Sequence, residues 1–179
     1  EMSASLVGSE MCIRDRYGDI MSNLIYLSVT GEKQGLISAG CSSLDSIGNK
    51  YQSAHENEIF VYELVNNISR EENISMLPVE IRKPIDKATP LFAQAINDKE
   101  KLECTLSFYR TAQSGGNELY FKMKLRDALI SNIRFFYPNS LTHNDVQPQE
   151  SVSFKFASIE WEHVIARTSA YMLWQNVAY

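Results

Sequence analysis

The sequence predicts a mainly β fold: a small closed β-barrel or sandwich of antiparallel strands with one short α-helix at about residues 90–97. Three observations carry this expectation. Residues 102–109 alternate apolar and polar side chains, so that Leu102, Cys104, Leu106 and Phe108 share one side, as in a strand with one buried face. Leu119, Phe121, Met123 and Leu125 repeat the pattern after a linker holding Gly115 and Gly116, a pair suited to a turn that needs positive φ. The two segments therefore read as an antiparallel hairpin. Clusters of Gly, Asn, Pro and Asp separate the other apolar stretches at the short intervals of an all-β chain.

Taken in order, further strands are expected at residues 24–29, 36–39, 59–65, 128–137 and 152–161, each a short run rich in β-branched or aromatic residues. One segment breaks the pattern. In DKATPLFAQAINDKEKL, Thr89 is placed to cap a helix with Pro90 at its first position, and Leu91, Phe92, Ala95 and Ile96 form one apolar face. Two long connections remain, residues 66–78 and 138–150, and connections of that length are usually functional or mobile.

The first twenty residues stand apart. Residues 6–16, LVGSEMCIRDR, mix Glu10, Arg14, Asp15 and Arg16 with short apolar runs and hold neither a helical nor a strand period. The eleven residues resemble the translation of a synthetic transposon adapter used to prepare sequencing libraries. Residues 1–20 are accordingly expected to be a non-native or disordered extension, with residues 21–179 forming a single domain that opens at Met21. Setting those twenty residues aside moves the net charge from -5 to -3.

A mildly acidic chain without a basic block is a poor ligand for nucleic acid, because phosphate neutralisation needs clustered Lys and Arg. No apolar run approaches the ~18 residues of a membrane helix, so no direct membrane insertion is expected, and no signal peptide opens at Met21. Beyond Cys12, Cys41 and Cys104 lack CxxC spacing or a nearby His pair, so they read as small buried thiols. His55 lies beside Glu56 and Glu58, yet neighbours on an extended segment point to opposite faces, which disfavours a metal site. His163 reads as a strand-end residue bonded at the surface. No GxSxG elbow, phosphate loop or grouping of nucleophile, base and orienting residue is found, so neither an enzyme nor a cofactor is expected.

From Met21 onward the chain resembles the Hcp family, the haemolysin-coregulated proteins that build the inner tube of bacterial type VI secretion systems. The resemblance rests on IYLSVTGEKQGLISAGCSSLDSIGNKYQ at 25–52, KPIDKATPLFAQAI at 83–96, FYRTAQSGGNELYF at 108–121, ALISNI at 128–133 and SFKFASIEWEH at 153–163. It implies a small barrel with a helix on its side, of which six copies close into a ring. It further implies that rings stack into a tube, that a contractile sheath, baseplate and spike surround and drive it, and that effector proteins ride in its lumen. Export by that route implies synthesis in the bacterial cytoplasm and secretion without a signal peptide. The chain departs from the family at 167–174, RTSAYMLW, where Arg167 and Ala170 stand at positions the family commonly gives to glycine. A turn relying on positive φ is strained by those side chains.

An extended loop just before the helix makes subunit or ring contacts in the family, which turns attention to residues 66–78. Arg70, Glu71, Glu72, Asn73, Ile74, Met76 and Leu77 are the expected interface residues, with Ile74, Met76 and Leu77 as apolar anchors on a polar loop. A monomeric barrel binding a small apolar ligand is the competing class, and Phe108, Phe121, Phe154 and Phe156 are large enough to fill such an interior.

Overall fold

Strand β1 (Leu24–Gly31) is the first element of the ladder that organises the molecule. The computed structural model describes residues 23–51, 53–113, 115–143 and 147–174; the expected N-terminal extension at residues 1–20 lies outside them. The elements that follow are β2 (Gly35–Leu36), α1 (Leu44–Ile47), β3 (Ile59–Val61), β4 (Glu63–Val65), β5 (Ile68–Arg70), β6 (Ile74–Met76) and β7 (Val79–Pro84). Then come α2 (Ala88–Asn97), β8 (Leu102–Thr111), β9 (Asn117–Phe136), β10 (Gln149–Lys155), β11 (Ser158–His163) and β12 (Thr168–Leu173).

The strands close on themselves. Antiparallel pairing runs from β1 to β8, β9, β10, β7 and β4, and β3 pairs back onto β1. Residues 59–65, expected as one strand, bend at Tyr62, whose N–H donates to the Arg82 carbonyl at 2.8 Å. The bend lets one half pair with β1 and the other with β7, which closes the circuit of β1, β8, β9, β10 and β7, while β12, paired only with β11 among the described residues, keeps an open side.

The expected hairpin forms as β8 and β9, with Cys104 opposite Leu125, Leu106 opposite Met123 and Phe108 opposite Phe121. Gly115 and Gly116 take φ of 78° and 96° in its turn. The two strands expected at 119–125 and 128–137 are one strand of 20 residues. It bends where the register shifts, and there Asp127 adopts φ 47°. Its first half pairs with β11 and its second with β10, because the segment expected at 152–161 is itself split between Lys155 and Ser158.

Buried Leu27, Val29, Ile59, Ile81, Leu106, Leu125, Val152, Phe154 and Ile159 pack into one core. Phe154 and Phe156 are buried, while Phe108 and Phe121 stack edge to face at 5.3 Å and are only partly buried. Helix α2 lays Ala88, Phe92 and Ala95 into this core at helical spacing, and the Phe92 ring meets Phe154 edge on at 6.0 Å. It starts two residues before the expected Pro90, since Asp86, not Thr89, satisfies the first donor: Asp86 Oδ1 accepts the Ala88 N–H at 2.8 Å. Thr89 Oγ1 instead accepts the Asp86 N–H at 3.2 Å. The one-turn helix α1 and the strands β7 and β12 were not legible in the apolar pattern, and residues 36–39 yield only the two-residue β2.

Candidate assembly surface

Residues 66–78 do not form an irregular loop. The β4–β7 ladder, with Val65 opposite Glu80, continues outward as β5–β6, with Ile68 opposite Met76 and Arg70 opposite Ile74. The Leu77 N–H donates to the Asn67 carbonyl at 3.0 Å and joins the two ladders into one ribbon. Ile68, Ile74 and Leu77 are 36%, 47% and 50% exposed along it. Met76, expected as a third exposed anchor, is 9% exposed and belongs to the barrel core, because it lies at the barrel end of the ribbon, whereas Ile74, two residues outward on the same face, is left in solvent. Arg70, Glu71, Glu72 and Asn73 form the exposed tip, and among the described residues none of the three charged ones has an ion-pair partner.

Two grooves mark the outer wall. One, of about 230 Å³, is lined by Glu80 and Arg82 of β7, Gln149, Glu150 and Ser151 of β10, and Arg134 and Phe136 of β9. The register puts Arg82, Ser151 and Arg134 side by side across three strands. The other, of about 480 Å³, lies against β11 and β12 beside Arg126, with Tyr171 and Leu173 71% and 55% exposed at its rim. The β11–β12 turn carries the family departure: Arg167 adopts φ 56°, as a position suited to glycine would, whereas Ala170 lies in β12 without positive φ.

Charge is also sealed inside. The Lys83 ammonium is buried between Asp86 Oδ1, at 2.8 Å, and Glu150 Oε1, and Thr89 Oγ1 donates to the same Glu150 oxygen at 2.9 Å. Asp86 Oδ2 and Glu150 Oε2 are buried without a partner among the described residues. Burial pushes the Asp86 carboxyl up, against the pull of the Lys83 charge. Sequence reasoning passed over this group, although its signal is there: Lys83 sits where the alternation Val79, Ile81 calls for an apolar residue.

The other titratable candidates have local duties. His55 stacks flat on Tyr26 with centroids 3.8 Å apart and shares a 2.5 Å hydrogen bond with Glu58. His163 Nδ1 accepts the Ala166 N–H at 3.1 Å, the surface bond expected of a strand-end histidine. Cys41 and Cys104 are buried, and burial pushes the Cys41 thiol up to about 12. Among the described residues no group of three His, Cys, Asp or Glu is placed to hold a metal, and no helix is long and apolar enough to cross a membrane. The features that stand out on this molecule are thus surfaces.

Comparison with known proteins gives the family. The family model described as "Type VI secretion system effector, Hcp" matches residues 26–163. The chain belongs to the Hcp family. It is 34% identical over 170 residues to the "Major exported protein" of Pseudomonas aeruginosa, covering 87% of this chain and 98% of that one. It is also 41% identical over 149 residues to the "Uncharacterized protein YhhZ" of Escherichia coli K12, covering 83% of this chain and only 37% of the relative. A solved structure titled "Crystal structure of Hcp protein" superposes with a TM-score of 0.82 at 32% identity, over 86% of this chain and 99% of the other. The Hcp fold is therefore carried by the β-barrel described above.

Proposed function

We propose that this Hcp-family chain is a structural subunit of the type VI secretion inner tube. Six copies close into a ring, rings stack, and the tube is expelled by the contractile sheath with effector proteins in its lumen. Sheath, baseplate and spike proteins are its partners in the apparatus. The subunit is made in the cytoplasm and leaves the cell with the tube, and its work is geometric instead of catalytic.

The observation that carries this reading is the β5–β6 ribbon, which projects from a closed barrel with apolar side chains left in solvent. A closed wall offers few edges for chance pairing, so contacts between copies fall to projecting elements and outward side chains. A ribbon on one flank meeting an unlike patch on the next copy is a head-to-tail contact, and such contacts close into rings when the rotation per copy divides the circle. Arg70, Glu71, Glu72, Asn73, Ile74 and Leu77 are the ribbon residues that make this contact; Met76 supports them from the core.

The test follows from that burial. Replacing Met76 would damage the barrel, so the informative variant is Ile74→Asp with Leu77→Asp. Sedimentation velocity should show rings for the parent chain and monomers for the variant, with an unchanged far-UV circular dichroism spectrum. Rings that persist in the variant would remove the ribbon as a principal contact.

A further inference from the structure

The ribbon needs a receiving surface, and the charges left unmatched on this molecule indicate which one. In the groove over β7, β10 and β9, most charged groups are already engaged. Arg82 pairs with Glu63 at 3.2 Å, Glu80 Oε1 accepts the Ser151 hydroxyl at 2.5 Å, and Glu150 turns inward to Lys83. Arg134 is the exception: it is exposed and, among the described residues, has no ion pair. Phe136 flanks it, 47% exposed. The ribbon tip offers the converse, two exposed carboxylates on Glu71 and Glu72 beside the cation of Arg70, with Ile74 and Leu77 behind them.

The tip does not serve its own groove. From Glu63, opposite Arg82, to Arg70, opposite Ile74, the ribbon runs outward by seven residues, about 23 Å at the rise of an extended strand. The matching charges are therefore too far apart to pair within one chain.

We infer that the Arg134 groove is the socket for the β5–β6 tip of a second copy, Glu71 and Glu72 meeting Arg134 and Ile74 covering Phe136. This rests on the self-assembly reading above and adds the acceptor to it. Charged groups placed this way set register and partner choice more than raw affinity, since a mismatched copy brings like charges together.

Charge swapping tests the socket. Arg134→Glu alone, and Glu71→Lys with Glu72→Lys alone, should each raise the protein concentration needed for rings by about tenfold, a typical effect of reversing a close interfacial charge pair. Combining all three substitutions in one chain should restore assembly to within about threefold of the parent, because the attraction is rebuilt with signs exchanged. Independent losses that simply add in the combined variant would overturn the socket, as would an Arg134→Glu chain that assembles like the parent.

A covalent readout guards against misfolding. In a Cys12→Ser background, Asn73→Cys and Gln149→Cys in one chain should give a ladder of linked subunits on mild oxidation; Cys41 and Cys104 are buried and stay silent. Rings visible by microscopy that give no ladder would sink the socket and leave the tube reading standing. A parent chain that forms no rings at any concentration would overturn both.

Discussion

Glu100 shows how much a single side chain can organise in this chain. Its Oε1 accepts the backbone N–H groups of Lys33 and Gln34 at 2.7 and 2.8 Å, and its Oε2 accepts the Gln34 side-chain amide at 2.6 Å. The carboxylate thereby fixes the turn between β1 and β2. Gly31 is buried beneath it, and a Cβ there would run into Glu100 Oε1 and sit 3.2 Å from Ile37 Cδ1, so the turn accepts no side chain at that point. Burial works against the Glu100 charge, but the bonds from Gln34 and Lys33 outweigh it and hold the carboxyl below the usual range. A depressed folded value means that the stabilisation is complete above the unfolded value and is lost as pH falls through the folded one. Glu100→Gln keeps the shape but loses the charge, and should cost about 1 kcal/mol near neutral pH. Urea unfolding of the two proteins should converge as pH drops below about 4, near and under the ordinary glutamate value. A constant difference across that range would show that shape, not charge, carries the turn.

At the scale of elements, what the sequence revealed depended on whether one residue's pattern was enough. The β8–β9 hairpin was legible because Leu102, Cys104, Leu106 and Leu125 alternate with polar neighbours and are all buried. The unity of β9 was not, because the bulge at Asp127 shifts the alternation and imitates a strand end. Likewise β7 was hidden by Lys83, and the β5–β6 ribbon by its mostly exposed surface, which leaves no apolar period to read. The interface candidates lie on the projecting β5–β6 segment, yet the groove around Arg134 could not be found, since its residues come from three strands far apart in sequence. The Lys83 cluster joins β7, β10 and the start of α2, so it too depends on tertiary pairing. Removing one partner of a buried ion pair leaves the others uncompensated, at a cost of about 3–5 kcal/mol. Lys83→Met should lose stability on that scale in guanidinium unfolding at pH 7. The loss should shrink toward pH 5: burial already raises the Asp86 value, so its protonated form is favoured in the fold and destabilisation grows as pH rises. A pH-independent loss would place the cost in packing around Phe92, over whose ring the ammonium also sits at 5.6 Å.

For the whole molecule, the closed barrel and the projecting ribbon divide the labour. The barrel buries its own core in one cluster, whereas Ile68, Ile74, Leu77, Tyr171 and Leu173 remain in solvent on one copy. Covering such residues at every joint of a ring ties stability to concentration, because a partner that binds only the folded state shifts unfolding by mass action. On the tube reading, the midpoint of thermal unfolding should therefore rise with protein concentration, and the dependence should vanish in the Ile74→Asp, Leu77→Asp chain while its dilute-limit midpoint matches the parent's. The shift has a bounded size: each hundredfold excess over the dissociation constant adds about 2.7 kcal/mol of apparent stability. Differential scanning calorimetry over two decades of concentration would resolve it. A midpoint independent of concentration in the parent would mean that the exposed ribbon is not covered by another copy, and the proposed ring would lose its thermodynamic footing.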